Sequence, residues 1–158
     1  MSHILVVFQS NTESVEQLAL AVAVGAVEAE ALIRLRRLAA PDAPEVGHKS
    51  YGKLTAADLV WADVIVVGLE DASPNPIELD PLVDRLRELT RSQDGSPAAK
   101  TAVTFGPEGP DAPRTDAQRF VEEACMAAGI KTVPPAEAIS DDLLGRMKQV
   151  GRWIAQEK

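Results

Sequence analysis

Ile4-Leu5-Val6-Val7-Phe8, then Gln9-Ser10-Asn11-Thr12-Glu13-Ser14, then Val15, Leu18, Ala19, Val22 and Ala26 at helical spacing, form the stretch that decides the fold. Five apolar residues in unbroken succession, three of them β-branched, read as a strand buried on both faces. The polar run that follows is a short loop. The apolar residues at spacings of three and four after it mark one face of a helix. A doubly buried strand passing through a short loop into a helix is the opening unit of an α/β protein.

The rest of the chain repeats that unit. Leu32, Ile33, Leu35 and Leu38, interspersed with Arg34, Arg36 and Arg37, read as a second strand nearer an edge. Pro41, Pro44, Gly47 and Gly52 make residues 39–54 a connector. Thr55 is placed to cap a short helix through Leu59, and Val64-Ile65-Val66-Val67, ended by Gly68, is a third strand. Beyond a loop holding Glu70, Asp71, Ser73, Pro74, Asn75 and Pro76, Asp80-Pro81 reads as an N-cap with a proline at the first helical position. Leu82, Val83, Leu86 and Leu89 give that helix its buried face, and Gln93 to Pro97 read as a loop. Thr101 to Phe105 are a fourth strand, stopped by Gly106-Pro107; a helix over roughly 114–128 follows, with Gly129 to end it. Ile130 to Val133 form a short fifth strand. Ser140 is placed to cap a last helix, with Asp141 and Asp142 in its first turn and Leu143, Leu144, Met147, Val150 and Ile154 as its stripe.

Five strands alternating with helices predict a three-layer open parallel sheet with helices on both faces, formed by residues 1–158 as one domain. Such sheets take ligands beyond the carboxyl ends of the strands, where strand order reverses. Three loops are candidates to meet there: residues 9–15, 68–76 and 105–113.

Composition narrows the partners. Of 158 residues, 16 are Lys or Arg and 24 Asp or Glu, a net charge of −8, which lacks the basic footprint that nucleic acid or an acidic membrane requires. No apolar run approaches the roughly 20 residues that span a bilayer, and no basic n-region precedes the first strand, so a cytoplasmic protein is expected. A single cysteine, Cys125, excludes an internal disulfide framework and a site built from several thiolates, and no His/carboxylate spacing indicates a metal.

The first loop carries most of the chemistry. Ser10, Asn11, Thr12, Glu13 and Ser14 join a buried strand to a helix start, where unpaired N–H groups and the positive end of the helix dipole suit a phosphate. The residues are neither Gly-x-Gly-x-x-Gly nor a P-loop lysine motif. Ser10-x-x-Glu13 also matches a capping box, in which the chain satisfies its own helix start, and on residue types alone that reading is preferred.

The segment "ILVVFQSNTESVEQLALAVAVGA" (4–26) resembles the opening of flavodoxin-like proteins, closest to the tryptophan-repressor-binding-protein-like quinone oxidoreductases. Ser10, Thr12, Glu16, Leu18, Ala19, Gly25 and Ala26 match that family's pattern in register. "ADLVWADVIVVG" (57–68) resembles the segment before the family's second flavin loop, and Asp84-Arg85 the end of the following motif. The resemblance is strongest over residues 1–90. It implies a flavodoxin-like sheet of order 2-1-3-4-5 with FMN at the switch point. The hydroxyls of Ser10 and Thr12 and the loop backbone of Asn11, Glu13, Ser14 and Val15 would hold the phosphate. Leu69, Glu70, Asp71, Ala72 and Asn75 would flank the isoalloxazine, and Thr104, Phe105, Gly106 and Pro107 the ring and ribityl chain. The implied activity is an NAD(P)H:quinone oxidoreductase, with small-molecule donor and acceptor as partners and a homodimer or tetramer as its assembly.

The departures from the pattern lie in those loops. Glu13 stands where the family has glycine, and Val15 where it has threonine. A carboxylate ~5 Å from one phosphate charge repels it by about 3 kcal/mol at an effective dielectric of ~20, a factor of roughly 100 or more in affinity unless Glu13 turns into solvent. Leu69-Glu70-Asp71-Ala72 replaces the family's Thr-Pro-Thr-Tyr and removes the stacking aromatic. Pro107, Pro110 and Pro113 stand in a loop that the family runs through glycines. Two readings follow: an FMN oxidoreductase with an atypical flavin site, or a flavodoxin-fold protein that has lost flavin and serves as an interaction or regulatory module.

Other candidates have ordinary readings. Trp61 and Trp153 are expected to pack, and Phe105 is placed equally well for a ligand or for the core. Cys125 reads as a small buried hydrophobe. The arginines at 34, 36 and 37 read as a solvated strand edge rather than a phosphate site.

Overall fold

The computed structural model describes residues 2–9, 13–38, 54–69, 76–91, 100–106, 115–133 and 143–157. Five parallel strands, β1 (His3–Gln9), β2 (Leu32–Leu38), β3 (Val64–Gly68), β4 (Thr101–Phe105) and β5 (Lys131–Thr132), lie in the order β2-β1-β3-β4-β5. Between and after them run α1 (Glu13–Glu28), α2 (Ala56–Trp61), α3 (Pro76–Arg91), α4 (Asp116–Ala127) and α5 (Leu143–Glu157). This is the predicted topology.

Alternation along β1 divides the core. Ile4, Val6 and Phe8 face α1 and α5, where they meet Val15, Leu18, Val22, Met147, Val150 and Ile154. Leu5 and Val7 face α2, α3 and α4, against Leu59, Leu82, Leu86 and Val121. All five β1 side chains are fully buried. Burial stabilises each by roughly 1.5–3 kcal/mol, and a one-residue register slip would send every one of them to the other layer.

α1 and α5 approach unusually closely. A Cβ on Gly25 would lie 2.0 Å from the Lys148 carbonyl oxygen, and one on Gly151 2.0 Å from that of Val22. Only glycine lets the two backbones come so near. Below this crossing, Glu28 accepts from Arg152 and lies 3.6 Å from Lys148.

α2 starts where expected: Thr55 accepts from the Asp58 N–H and Asp58 accepts from the Thr55 N–H, a reciprocal cap. It runs on to Trp61 rather than stopping at Leu59. Its far end is closed from a distance. Lys100, which precedes β4, donates to the carbonyls of Val60 (3.0 Å) and Ala62 (2.6 Å).

The start of α3 corrects the sequence reading. The helix begins at Pro76, and Pro81 lies inside it. Both prolines suit a first helical position, but Leu79 is buried in line with Leu82, Leu86 and Leu89, at spacings of three, four and three. Burying that extra leucine offsets the hydrogen bond that Pro81 cannot donate to the turn before it. α4 begins at Asp116 behind the N-cap Thr115 and runs to Ala127, closed beyond its C-cap Ala128 by Gly129, whose φ of 87° is the left-handed closing position. The proposed cap at Ser140 lies outside the described residues.

Candidate functional site

Strand order reverses at β1, with β2 on one side and β3 on the other. The carboxyl ends of the three central strands finish level, because Phe8 pairs with Gly68 and Gly68 with Phe105. The Leu69 N–H donates to the Phe105 carbonyl (2.9 Å), carrying the β3–β4 ladder one residue further. Gly68 is where it is because of packing: a Cβ there would meet the Phe105 ring at 2.6 Å.

The sequence-predicted residues divide into three groups. Ser10, Asn11, Thr12, Glu70, Asp71, Ala72, Asn75 and Pro107 lie outside the described residues. Glu13 and Ser14 are the first two residues of α1, so the helix start falls just beyond the carboxyl end of β1. Val15, Leu69, Thr104, Phe105 and Gly106 belong to the same edge of the sheet, but the side chains of the first four face inward. Val15 and Leu69 are fully buried, and Phe105 packs between β4 and α1/α5.

Thr104 is held by its neighbours on α4. Its hydroxyl accepts from the Gln118 side-chain amide (3.1 Å) and donates to the Glu122 carboxylate (3.1 Å), and all three residues are buried. The other end of the Gln118 amide accepts from the Thr115 N–H (3.2 Å), while the Thr115 hydroxyl accepts from the Gln118 N–H (3.2 Å). Gly106 abuts the same amide: a Cβ there would stand 3.2 Å from Gln118 Oε1. The Thr115-x-x-Gln118 spacing is a readable capping box, which the sequence reading passed over. The cross-link to Thr104 is not legible from spacing.

Among the described residues, what suits the phosphate end of FMN is the start of α1. α1 is a 16-residue helix whose first amides have no partner within the helix, a fitting terminus for an anion. No stacking face accompanies it among the described residues. The chain has only six Phe, Trp and Tyr residues, and Phe8, Phe105, Phe120, Trp61 and Trp153 all pack in or against the two cores. Tyr51 lies outside the described residues.

Arg34 and Arg36 of β2 do not lie on a solvated edge. Arg36 grips the Asp58 carboxylate with two nitrogens (2.9 and 3.1 Å) and Arg34 adds a third contact (3.0 Å). Alternation on a strand puts residues 34 and 36 on one face, toward α2, where Asp58 is waiting. Burial pushes the Asp58 carboxyl up, but the bonds from Arg36 and from Thr55 outweigh it and hold the group below its ordinary value. Arg34 also lies 4.3 Å over the Trp61 ring, which stacks on the His3 ring at 4.7 Å, and the backbone N–H of His3 donates to the Asp63 carboxylate. His3 and Asp63 stand at the amino ends of β1 and β3, so the His3–Trp61–Asp63 end of this cluster is at the opposite edge from the candidate site. Cys125 is enclosed beside Glu122, and burial followed by that charge pushes its thiol up to about 12.

No protein-family model matches the sequence, and no curated protein does. Solved structures do. The chain is similar to a flavodoxin from the domain Archaea, with a TM-score of 0.66 at 20% identity over 98% of this chain and 97% of that one. Oxidised Flavodoxin 2 from Bacillus cereus gives 0.64 at 17% identity, over 99% and 100% of the two chains. An NAD(P)H:quinone oxidoreductase from Methanothermobacter marburgensis gives 0.55 at 16% identity, over 97% and 96%. The shared strand order, layering and length make this chain a protein of the flavodoxin-like fold.

Proposed function

We propose that the chain binds FMN at the carboxyl edge of β1, β3 and β4 and acts as a two-electron oxidoreductase of the NAD(P)H:quinone type. One observation carries this reading: the level ends of β1, β3 and β4 at the reversal of strand order, with the start of α1 directly beyond β1. The neighbours of this fold include flavodoxins and an NAD(P)H:quinone oxidoreductase.

FMN, when bound, supplies a two-electron acceptor for a nicotinamide hydride and a donor to a quinone. The protein's part is to hold and orient it. Ser10, Thr12 and the amides through Val15 would receive the phosphate; residues 69–75 would flank the ring on one side and 104–107 on the other. Phe105 and Leu69 act through backbone position, since their side chains are committed to the core. The Thr104 hydroxyl is already engaged on both sides, so it orients the end of β4.

The commitment of five of six aromatic side chains to packing favours a second reading, in which the flavin has been lost and the fold serves as an interaction module. Titration of flavin-free protein with FMN, followed by flavin fluorescence, separates the two. Saturable binding at micromolar concentration or tighter, followed by FMN-dependent oxidation of NADH or NADPH with a small quinone, supports the oxidoreductase. Absence of binding supports the module.

A further inference from the structure

We propose that Gln118 is a positioning residue for the candidate flavin edge, locking the end of β4 to the start of α4; this rests on the FMN reading above. One side-chain amide performs both halves of the lock. Its nitrogen donates to Thr104 in β4, and its oxygen accepts from the Thr115 N–H at the cap of α4. Gly106 is packed against that oxygen closely enough that a methyl group would displace it. Gly106 follows the last residue of β4 and Thr115 caps α4. Both are thus set by Gln118.

Glu122 holds the lock in place from the other side. A buried carboxylate needs donors, and the Thr104 hydroxyl supplies one. That bond turns the hydroxyl so that its lone pairs face the Gln118 nitrogen. Hydrogen bonds among buried groups reinforce one another. A polar cluster here does what an apolar one of equal size would not: it permits a single orientation of the amide. From Phe105 the fixed position passes to β3, because the Leu69 N–H is bonded to the Phe105 carbonyl. Two of the three proposed flavin segments are in this way registered by one residue on α4.

The test uses the full chain with Gln118→Leu, which removes both amide contacts, and Gln118→Glu, which keeps an acceptor for Thr115 and loses the donor to Thr104. Two readouts are taken: FMN affinity by fluorescence quenching, and hydrogen exchange of the Leu69 and Thr115 amides in flavin-free protein. Gln118→Leu is expected to weaken FMN binding about tenfold, near 1.4 kcal/mol, and to speed exchange at both amides. Gln118→Glu should speed Leu69 with less effect on Thr115. Faster exchange at Thr115 alone, with unchanged FMN affinity, would make Gln118 a local helix cap and overturn the proposal. Should the wild type bind no FMN, the flavin reading falls, and Leu69 exchange alone decides the lock: faster supports it, unchanged overturns it. If Gln118→Leu does not fold, Gln118→Glu carries the same two readouts.

Discussion

Replacing Gly151 by alanine tests how far the closeness of α1 and α5 holds the fold. The new methyl carbon would lie 2.0 Å from the Val22 carbonyl oxygen and 2.9 Å from the Ala26 nitrogen, where ordinary contact begins at 3.4 Å. Both obstacles are backbone, so no rotamer change relieves them, and the helices must separate by about 1.4 Å. Forcing a methyl group into a packed core costs about 1–3 kcal/mol, occasionally more. Alanine returns about 1 kcal/mol in helix propensity. The steric term should win, because separation also loosens Val22, Ala26, Met147, Val150 and Ile154 across the same seam. With the cost at the upper end of that range, the net loss is about 2 kcal/mol, which lowers Tm by about 4–8 °C in a chain of this size. Thermal unfolding by circular dichroism, with urea unfolding alongside, reads it. Gly25→Ala should behave alike, and the pair should cost less than the two added together, since one separation relieves both clashes. A Tm equal to or above that of the wild type would refute the reasoning.

Asp58→Asn leaves two guanidinium groups short of their carboxylate, and because both arginines are partly exposed the loss should be about 2 kcal/mol near neutral pH by urea unfolding. The Asp58 carboxyl is held below its ordinary value, so its contribution is complete above the unfolded pKa of about 3.9 and fades as pH falls through the lower folded value. The gap between wild type and Asp58→Asn should therefore close below about pH 4; a constant gap would mean that the charge is not what stabilises. Lys100→Met strips the donor from the Val60 and Ala62 carbonyls and should cost about 1–3 kcal/mol, read by urea unfolding. Cys125, with its thiol raised to about 12, should resist a disulfide reagent at pH 8 in the folded protein and react at once in urea; rapid native labelling would contradict its burial.

The strands and their order were legible because burial on both faces leaves a distinct trace: Ile4 to Phe8 and Val64 to Val67 carry almost nothing but β-branched and large apolar residues. Caps made within four residues, as at Thr55, were legible for the same local reason. What could not be read depended on pairs brought together by the fold. Arg34 and Arg36 meet Asp58 from 24 and 22 residues away. Thr104 meets Glu122 across 18. The choice between Pro76 and Pro81 as helix start turned on the burial of Leu79, which only the packed sheet reveals. Of the candidate site, the edge and its helix start were predictable from the alternation of elements. Val15 was legible as the first residue of the apolar face of α1, whereas the inward commitment of Leu69 and Phe105 was not, since an apolar residue at a strand end suits a core and a ligand equally.

The most direct test of the central claim is a map of backbone amide shifts in the 15N-labelled protein as FMN is added. A ligand at the carboxyl edge predicts saturable shifts concentrated at Gln9, Glu13 to Val15, Gly68, Leu69, Phe105 and Gly106, with His3, Asp63 and Lys131 at the opposite edge unmoved. Shifts centred on that opposite edge, or none at millimolar FMN, would contradict it.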